Sequence, residues 1–499
     1  MIRSCSRILK QYRRVLIVVP ILLISACGGG GGGTSVSITI SPTTATLVAG
    51  ASTPFAASVS GTSNQAVTWA VTGVGSVSAT GVYTAPSSGT FPATATVTVT
   101  SAADTSKKAS ATITVTGTVS YFGTFTSAGS MRSARSNHTA NLLTNGQVLV
   151  TGGLGSLGTA IASAEVFRPT FASFTSVGSM SNPRAYQSAT MLTNGKILVA
   201  GGVDATNVPL ASAEIYDPAT GKFSATGAMT TARAFHSATL LANGKVLVCG
   251  GNSNGNLAAG NALDSAELYD PVTGRFTATV PMITARYYHT ATLLPDGQVL
   301  LTGGVGIGGA RLPAAELYDP ITDTFTATDS MLVDPAVDTG RWLHTATLLQ
   351  DGSVVIVGGD MGTHAANPSY LNTAQLYDPA AALGARFSDI AGTLTDPRGH
   401  HTATRLADLA GSVLVTGGFG GTAASGATYL ASAELYDPVA HLFAATGALA
   451  QSRANHTAVL LPGNGRILVI GGNTALQTTD SNGNLQITYM TLSSAELYR

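Results

Sequence analysis

Charged side chains are scarce in this chain. They make up 10% of its 499 residues, where an ordinary globular protein carries about 25%. The basic groups are also concentrated at the start: Arg3, Arg7, Lys10, Arg13 and Arg14 lie within residues 1–26, which hold no acid. Subtracting them from the 25 basic residues leaves 20 against 25 acidic ones, about −5. Such a surface excludes nonspecific nucleic-acid binding, which relies on cations at the phosphates. Cysteine is nearly absent as well, with Cys5, Cys27 and Cys249 only. Cys5 and Cys27 fall in the leader region, so Cys249 is left alone in the apolar run Val246-Leu247-Val248-Cys249. A disulfide framework is therefore excluded, stability has to come from packing, and Cys249 is expected to act as a small buried hydrophobe. No paired carboxylates, nucleophile motif or phosphate loop is present, so no catalytic residue, metal site or cofactor is expected.

The longest apolar stretch of the leader, Val15–Ile24, is too short to span a bilayer, which takes about 20 residues. With the basic stretch before it and Ile24-Ser25-Ala26-Cys27 after it, it has the three parts of a secretory signal. The last four residues resemble a bacterial lipobox, and that resemblance implies lipid on Cys27. The run Gly28–Gly33 is then a flexible tether over 27–34. Residue 28 is Gly rather than Asp, which by the sorting rule of such lipoproteins implies the outer membrane, facing the periplasm or the outside.

Glycine, with 58 residues, is abundant, and Thr, Ala and Val alternate through the chain, which reads as all-β with many turns. Within 35–118 the runs Val36–Ile40, Val67–Val71, Ala95–Val99 and Ala111–Val115 alternate with period two, as half-buried strands of a sandwich do. Trp69 is expected as a core anchor on a central strand. With Ala79-Thr80-Gly81-Val82-Tyr83-Thr84-Ala85-Pro86, the segment resembles bacterial Ig-like domains.

From about residue 119 the chain repeats itself. Repeats open on Arg135, Arg184, Arg233, Arg286, Arg341, Arg398 and Arg453, at spacings of 49, 49, 53, 55, 57 and 55. Each continues through a Leu-rich strand, a turn such as Asn243-Gly244 or Asp296-Gly297, an apolar strand that stops at Gly-Gly, an Ala-Glu-Leu-Tyr-Asp-Pro strand and a strand carrying Phe. Asn-Gly and Asp-Gly accept the positive φ of tight hairpins, and Asp-Pro ends a strand because Pro cannot donate to a ladder. Paired Gly, then Tyr, then an aromatic resembles the kelch repeat, with Phe in place of the usual Trp. The resemblance implies a seven-bladed kelch-type β-propeller over 119–499, preceded by a small Ig-like β-sandwich. The last repeat ends on its third strand at Tyr498, and the Phe122–Phe125 segment is expected to supply the fourth, closing the ring and removing an exposed edge.

Six repeats carry His three residues after the Arg (His138, His236, His289, His344, His401 and His456), with Gln187 in the second. A metal needs a few ligands at one point, so a position filled this uniformly is expected to be scaffold. Six third-strand glutamates and Gln375 face seven arginines, which suggests one internal ion pair per blade with Arg341 least neutralised. The residue before each His varies, and Tyr186, Phe235, Tyr288 and His400 are candidate ligand contacts on the loop face, together with Arg341. Arg286-Tyr287-Tyr288-His289 and Arg184-Ala185-Tyr186-Gln187 resemble the copper-ligand and radical-Tyr openings of galactose oxidase and its relatives. In that family the radical Tyr is cross-linked to a Cys of the preceding blade, where Asn137 stands here. The expected function is therefore an envelope-anchored monomer that binds a protein or glycan without catalysis. The alternative is a carbohydrate-active or copper-radical-oxidase-like enzyme.

Overall fold

The computed structural model describes residues 35–48, 50–86, 93–116, 123–255, 261–331, 340–362, 369–408, 410–421, 428–463, 465–479 and 485–499. Cys27, the glycine tether and Phe122 lie outside the described residues. The chain divides into two units, 1–118 and 119–499.

The first unit is a small β-sandwich. Its larger sheet orders Thr44–Val48, Lys108–Thr116, Ala93–Ser101 and Val67–Gly73, with the first two strands parallel. A three-stranded and a two-stranded sheet complete it. Tyr83, Val97, Val99, Ile113 and Val115 are fully buried in one shared core. Trp69 departs from expectation. Its strand, Val67–Gly73, lies at the edge of the sheet, and the side chain is only half-buried against Gly81. Period-two alternation tells which face a side chain takes but not whether its strand is central or lateral. The fully buried centre of the core comes from the two middle strands and Tyr83 of the facing sheet, and Trp69 packs against its margin.

The second unit contains seven four-stranded antiparallel sheets among the described residues. Blade 1 runs Thr139–Leu142, Val148–Thr151, Ala164–Arg168 and Ser173–Ser176. Blades 2 to 6 repeat this order from Ser188 to Ala445. Blade 7 takes Thr457–Leu460, Ile467–Ile470 and Ser494–Tyr498 from the end of the chain and Phe125–Ser130 from its start, with Phe125 opposite Tyr498. The structure thus closes the ring as the broken repeats imply.

Each second strand is buried along its whole length, as with Val299–Thr302, because it lies in mid-blade with a neighbouring blade on either face. In all seven blades the aromatic that ends the third strand packs on the Phe of the fourth, with ring centroids 4.8–5.0 Å apart.

The Gly pairs form the joints between blades. The N–H of each second Gly donates to the carbonyl of the next repeat's opening Arg at 2.8–3.0 Å, in all seven seams, from Gly153→Arg184 round to Gly472→Arg135. Gly304 shows why no side chain fits. Its φ is +94°, and a Cβ there would stand 2.6 Å from the Tyr287 carbonyl and 3.0 Å from the His289 Cβ. Gly304→Ala is expected to destabilise the propeller by about 3 kcal/mol, from backbone strain plus displacement of the seam. A urea midpoint equal to wild type would show that the seam yields without cost.

Candidate functional site

The seams also place the repeat histidines. Each His Nε2 shares a hydrogen bond with a hydroxyl on the first strand of the preceding blade: His236 with Ser188 (2.9 Å), His289 with Ser237 (2.8 Å), His344 with Thr290 (3.2 Å), His401 with Thr345 (3.0 Å), His456 with Thr402 (3.0 Å) and His138 with Thr457 (2.9 Å). Gln187 reaches the Thr151 carbonyl instead, at 2.9 Å. Burial drives all six imidazoles toward the neutral form. His236, His344 and His456 are pushed down to about 3, and His138, His289 and His401 fall well below their ordinary value. These residues link blades, and His138, His344, His401 and His456 border an axial cavity of ≈ 510 Å³ between the first strands.

The arginines work inside blades. Six pair with the third-strand Glu of their own blade at 2.6–3.0 Å, and all six guanidinium groups are fully buried. Arg286 is representative: Nη1 donates to the carbonyls of Gly303 and Ala314, and Nη2 to Glu316. Glu316 also accepts the N–H groups of Ile283 and Thr284, which fixes the chain as it comes in from blade 4's predecessor. Blade 5 differs as the sequence implies. Arg341 reaches the carbonyls of Gly358 and Thr373 but no carboxylate among the described residues. Burial pushes it down to about 10, opposed by the field of Asp389. Gln375 donates to Asp389 at 2.9 Å. The Arg341 guanidinium is therefore engaged within its own blade, as the other opening arginines are.

Tyr186, Phe235, Tyr288 and His400 do come together. The residue before each His, from Asn137 to Asn455, has φ between 52° and 57° in all seven repeats. Bulky side chains take this left-handed conformation at a cost of about 1–2 kcal/mol each. The compensation is a second set of interblade bonds, in which six of the seven N–H groups, all but that of Leu343, donate to the equivalent carbonyl one blade back. It runs Tyr186→Asn137, Phe235→Tyr186 and Tyr288→Phe235, then His400→Leu343, Asn455→His400 and Asn137→Asn455, at 3.0–3.3 Å. The variable side chains are thereby gathered at one end of the axis. Phe235 packs on Tyr186 (4.4 Å between centroids) and on Tyr288 (4.7 Å), and Tyr288 meets Trp342 (5.6 Å) and His400 (6.2 Å) edge-on. Burial raises the Tyr186 phenol to about 12 and lowers His400 to about 4, so both stay neutral near pH 7.

The structure adds residues that the repeat pattern did not single out. Trp342 follows Arg341, and the Arg311 guanidinium lies 4.2 Å above its ring. Phe419 stacks between His400 (5.4 Å) and Tyr429 (4.6 Å). Together these half-buried rings form an aromatic surface across blades 2 to 6 on the face of the strand two-to-three loops. The available signal was the pair of bulky residues directly after an opening Arg, Tyr287 and Trp342, where other repeats have Ser, Ala or Gly.

The copper arrangement implied by the oxidase resemblance does not fit these residues. The Phe235 ring stands between Tyr186 and Tyr288. The His289 Nε2 is turned into the seam toward Ser237. Cys249 is buried beside Ser237, 3.2 Å from its hydroxyl, with its thiol pushed up to about 11 by burial. Among the described residues no three His, Cys, Asp or Glu side chains converge on a point.

The fold and its repeats define a kelch-repeat β-propeller. The Kelch motif matches residues 184–230 and 233–283. Among solved structures, a fungal alcohol oxidase of the AA5 family, in complex with copper, is similar at 17% identity and a TM-score of 0.57, covering 76% of each chain. YjhT is similar at 15% identity and a TM-score of 0.48, covering 63% of this chain and 98% of its own. No curated protein matches. At 17% identity the likeness to the oxidase extends to the fold alone.

Proposed function

We propose that the protein is a lipoprotein of the bacterial envelope, held by lipid on Cys27 in the outer membrane, whose Ig-like unit is a spacer and whose propeller binds a protein or glycan without catalysis. One observation carries the binding reading. The left-handed backbone position recurs in all seven repeats, yet it presents five different residue types, and five successive blades contribute buried or half-buried aromatic rings to one cluster. Variation on a rigid scaffold is how repeat proteins build recognition faces, and aromatic anchors with few polar atoms suit binding more than bond-breaking. The titratable groups of the repeat support the same reading, because they are committed elsewhere: histidines to seams and arginines to buried pairs.

The test is a glycan array and an envelope pull-down with the chain from residue 35, followed by Tyr288→Ala and His400→Ala. Each substitution is expected to weaken any captured interaction at least tenfold, since truncating a central aromatic anchor typically costs 2 kcal/mol or more. Binding unchanged in both would place the interaction elsewhere.

A further inference from the structure

The stacked pair Arg311 and Trp342 carries donors that the protein leaves without acceptors. Arg311 gives Nε to the Gly362 carbonyl and Nη1 to the Gly309 carbonyl, both at 2.9 Å, and no carboxylate among the described residues lies within 4 Å of it. Its Nη2 remains available, because a guanidinium has five N–H groups. The indole Nε1 of Trp342 is buried and has no acceptor among the described residues. An unmade bond of this kind costs about 1–3 kcal/mol. The acid whose field reaches Arg311 is Asp360, but that side chain is buried and its Oδ1 already accepts the N–H groups of Gly362 and Ser369 at 2.7 and 2.8 Å. One cation and one indole donor, both short of an acceptor, thus stand at the border of the aromatic surface.

We infer that the loop face selects a carboxylate-bearing pyranose, an acidic sugar whose ring lies on the Tyr288–Trp342–His400 aromatics and whose carboxylate is taken by Arg311. This rests on the loop-face reading above and adds the ligand's charge. The uncommitted Nη2 belongs to a delocalised cation, and its bond to a carboxylate is charge-assisted, stronger than its bond to a neutral hydroxyl. The Trp342 ring holds the guanidinium flat, and its two bonded nitrogens fix the direction of the third. A glycan is favoured over an acidic peptide because the cation lies on the Trp342 ring, which itself meets Tyr288 and His400, offering ring faces rather than a strand edge to pair with.

Trp69 and Trp342 are the only tryptophans of the chain, so Trp69→Phe leaves Trp342 as the sole indole reporter. In that background the mature chain is titrated with D-glucuronate, with D-glucose as the neutral isostere and with acetate as the ringless carboxylate. Trp342 emission is expected to saturate with glucuronate at a concentration at least tenfold below that for glucose or acetate. Arg311→Gln should bring glucuronate and glucose within about twofold, and Arg311→Lys should restore a severalfold preference. Equal response to glucose and glucuronate overturns the charge selection while leaving the loop face intact. So does a preference that survives in Arg311→Gln. Because the glucuronate-to-glucose ratio is read on the Trp69→Phe protein itself, the inference is open to refutation even if Arg311→Gln fails to fold. A saturable response to an acidic peptide with none to glucuronate replaces the glycan by a protein. Captured binding that ignores Tyr288→Ala and His400→Ala removes the loop-face reading as a whole.

Discussion

Glu316→Gln is expected to destabilise the propeller by about 3 kcal/mol, one of the largest single effects in the chain. Arg286 and Glu316 are both buried, at 0% and 1% exposure, and 2.7 Å apart. Removing the negative charge leaves a guanidinium desolvated and uncompensated, which typically costs 3–5 kcal/mol. The amide also loses acceptor capacity toward the N–H groups of Ile283 and Thr284. Blade 5 already contains this substitution and shows how the fold tolerates it. There the carboxylate has moved one strand outward: Gln375 faces Asp389, which stands where blade 4 has Ala327 opposite Glu316. Adding Ala327→Asp to Glu316→Gln should therefore recover about 1.5 kcal/mol, the worth of a hydrogen bond to a charged group. Asp389→Ala should cost a similar amount in blade 5. Urea midpoints of the two single variants and the double variant decide it. If Glu316→Gln alone loses under 1 kcal/mol, the buried pairs contribute far less than their geometry implies.

The same comparison shows what a sequence of this kind discloses. Seven opening arginines against six glutamates and one glutamine announced the pairing, because a count of opposite charges needs no geometry. The closing strand was legible for a similar reason: a third strand without a fourth at Tyr498 and a fourth without a third at Phe125 complement each other. Asp389 was not legible. It lies 14 residues from Gln375, and only strand register makes them neighbours. The conformation at Tyr186, Phe235, Tyr288 and Leu343 was hidden as well, since nothing in these side chains favours positive φ. At Tyr186, Phe235 and Tyr288 an interblade bond from the residue's own N–H offsets the local strain, and at Leu343 the bond its carbonyl accepts from His400 does so; such bonds exist only once blades stand side by side. Trp342 and Arg311 went unnoticed for the opposite reason. Repeat counting finds what recurs, and the residues that distinguish the loop face occur once. Trp69 was misplaced because alternation is identical on edge and central strands.

Stability is expected to fall steeply as pH drops from 6.5 to 5. In the unfolded chain each His takes up a proton near 6.5. In the folded chain His236, His344 and His456 resist until about 3 and His400 until about 4, while burial holds His138, His289 and His401 well below their ordinary value. Between those values the unfolded state holds more protons, so acid favours unfolding. The contribution is fully present above the unfolded value of about 6.5 and is lost progressively below it. The upper part of this window lies above the range in which ordinary carboxylates titrate, which separates the histidine effect from general acid denaturation. Six seam histidines and His400 act together, so proton uptake on unfolding should approach seven at pH 5. The pH dependence of the urea-derived stability reads that number directly. His236→Gln supplies the control, because Gln187 already holds the same position in blade 2 through the Thr151 carbonyl. The variant should fold and take up one proton fewer. An uptake near one or two would mean that the imidazoles are charged in the native seams. Their bonds to Ser and Thr hydroxyls would then tighten in acid, and the ring would hold where it is now expected to open.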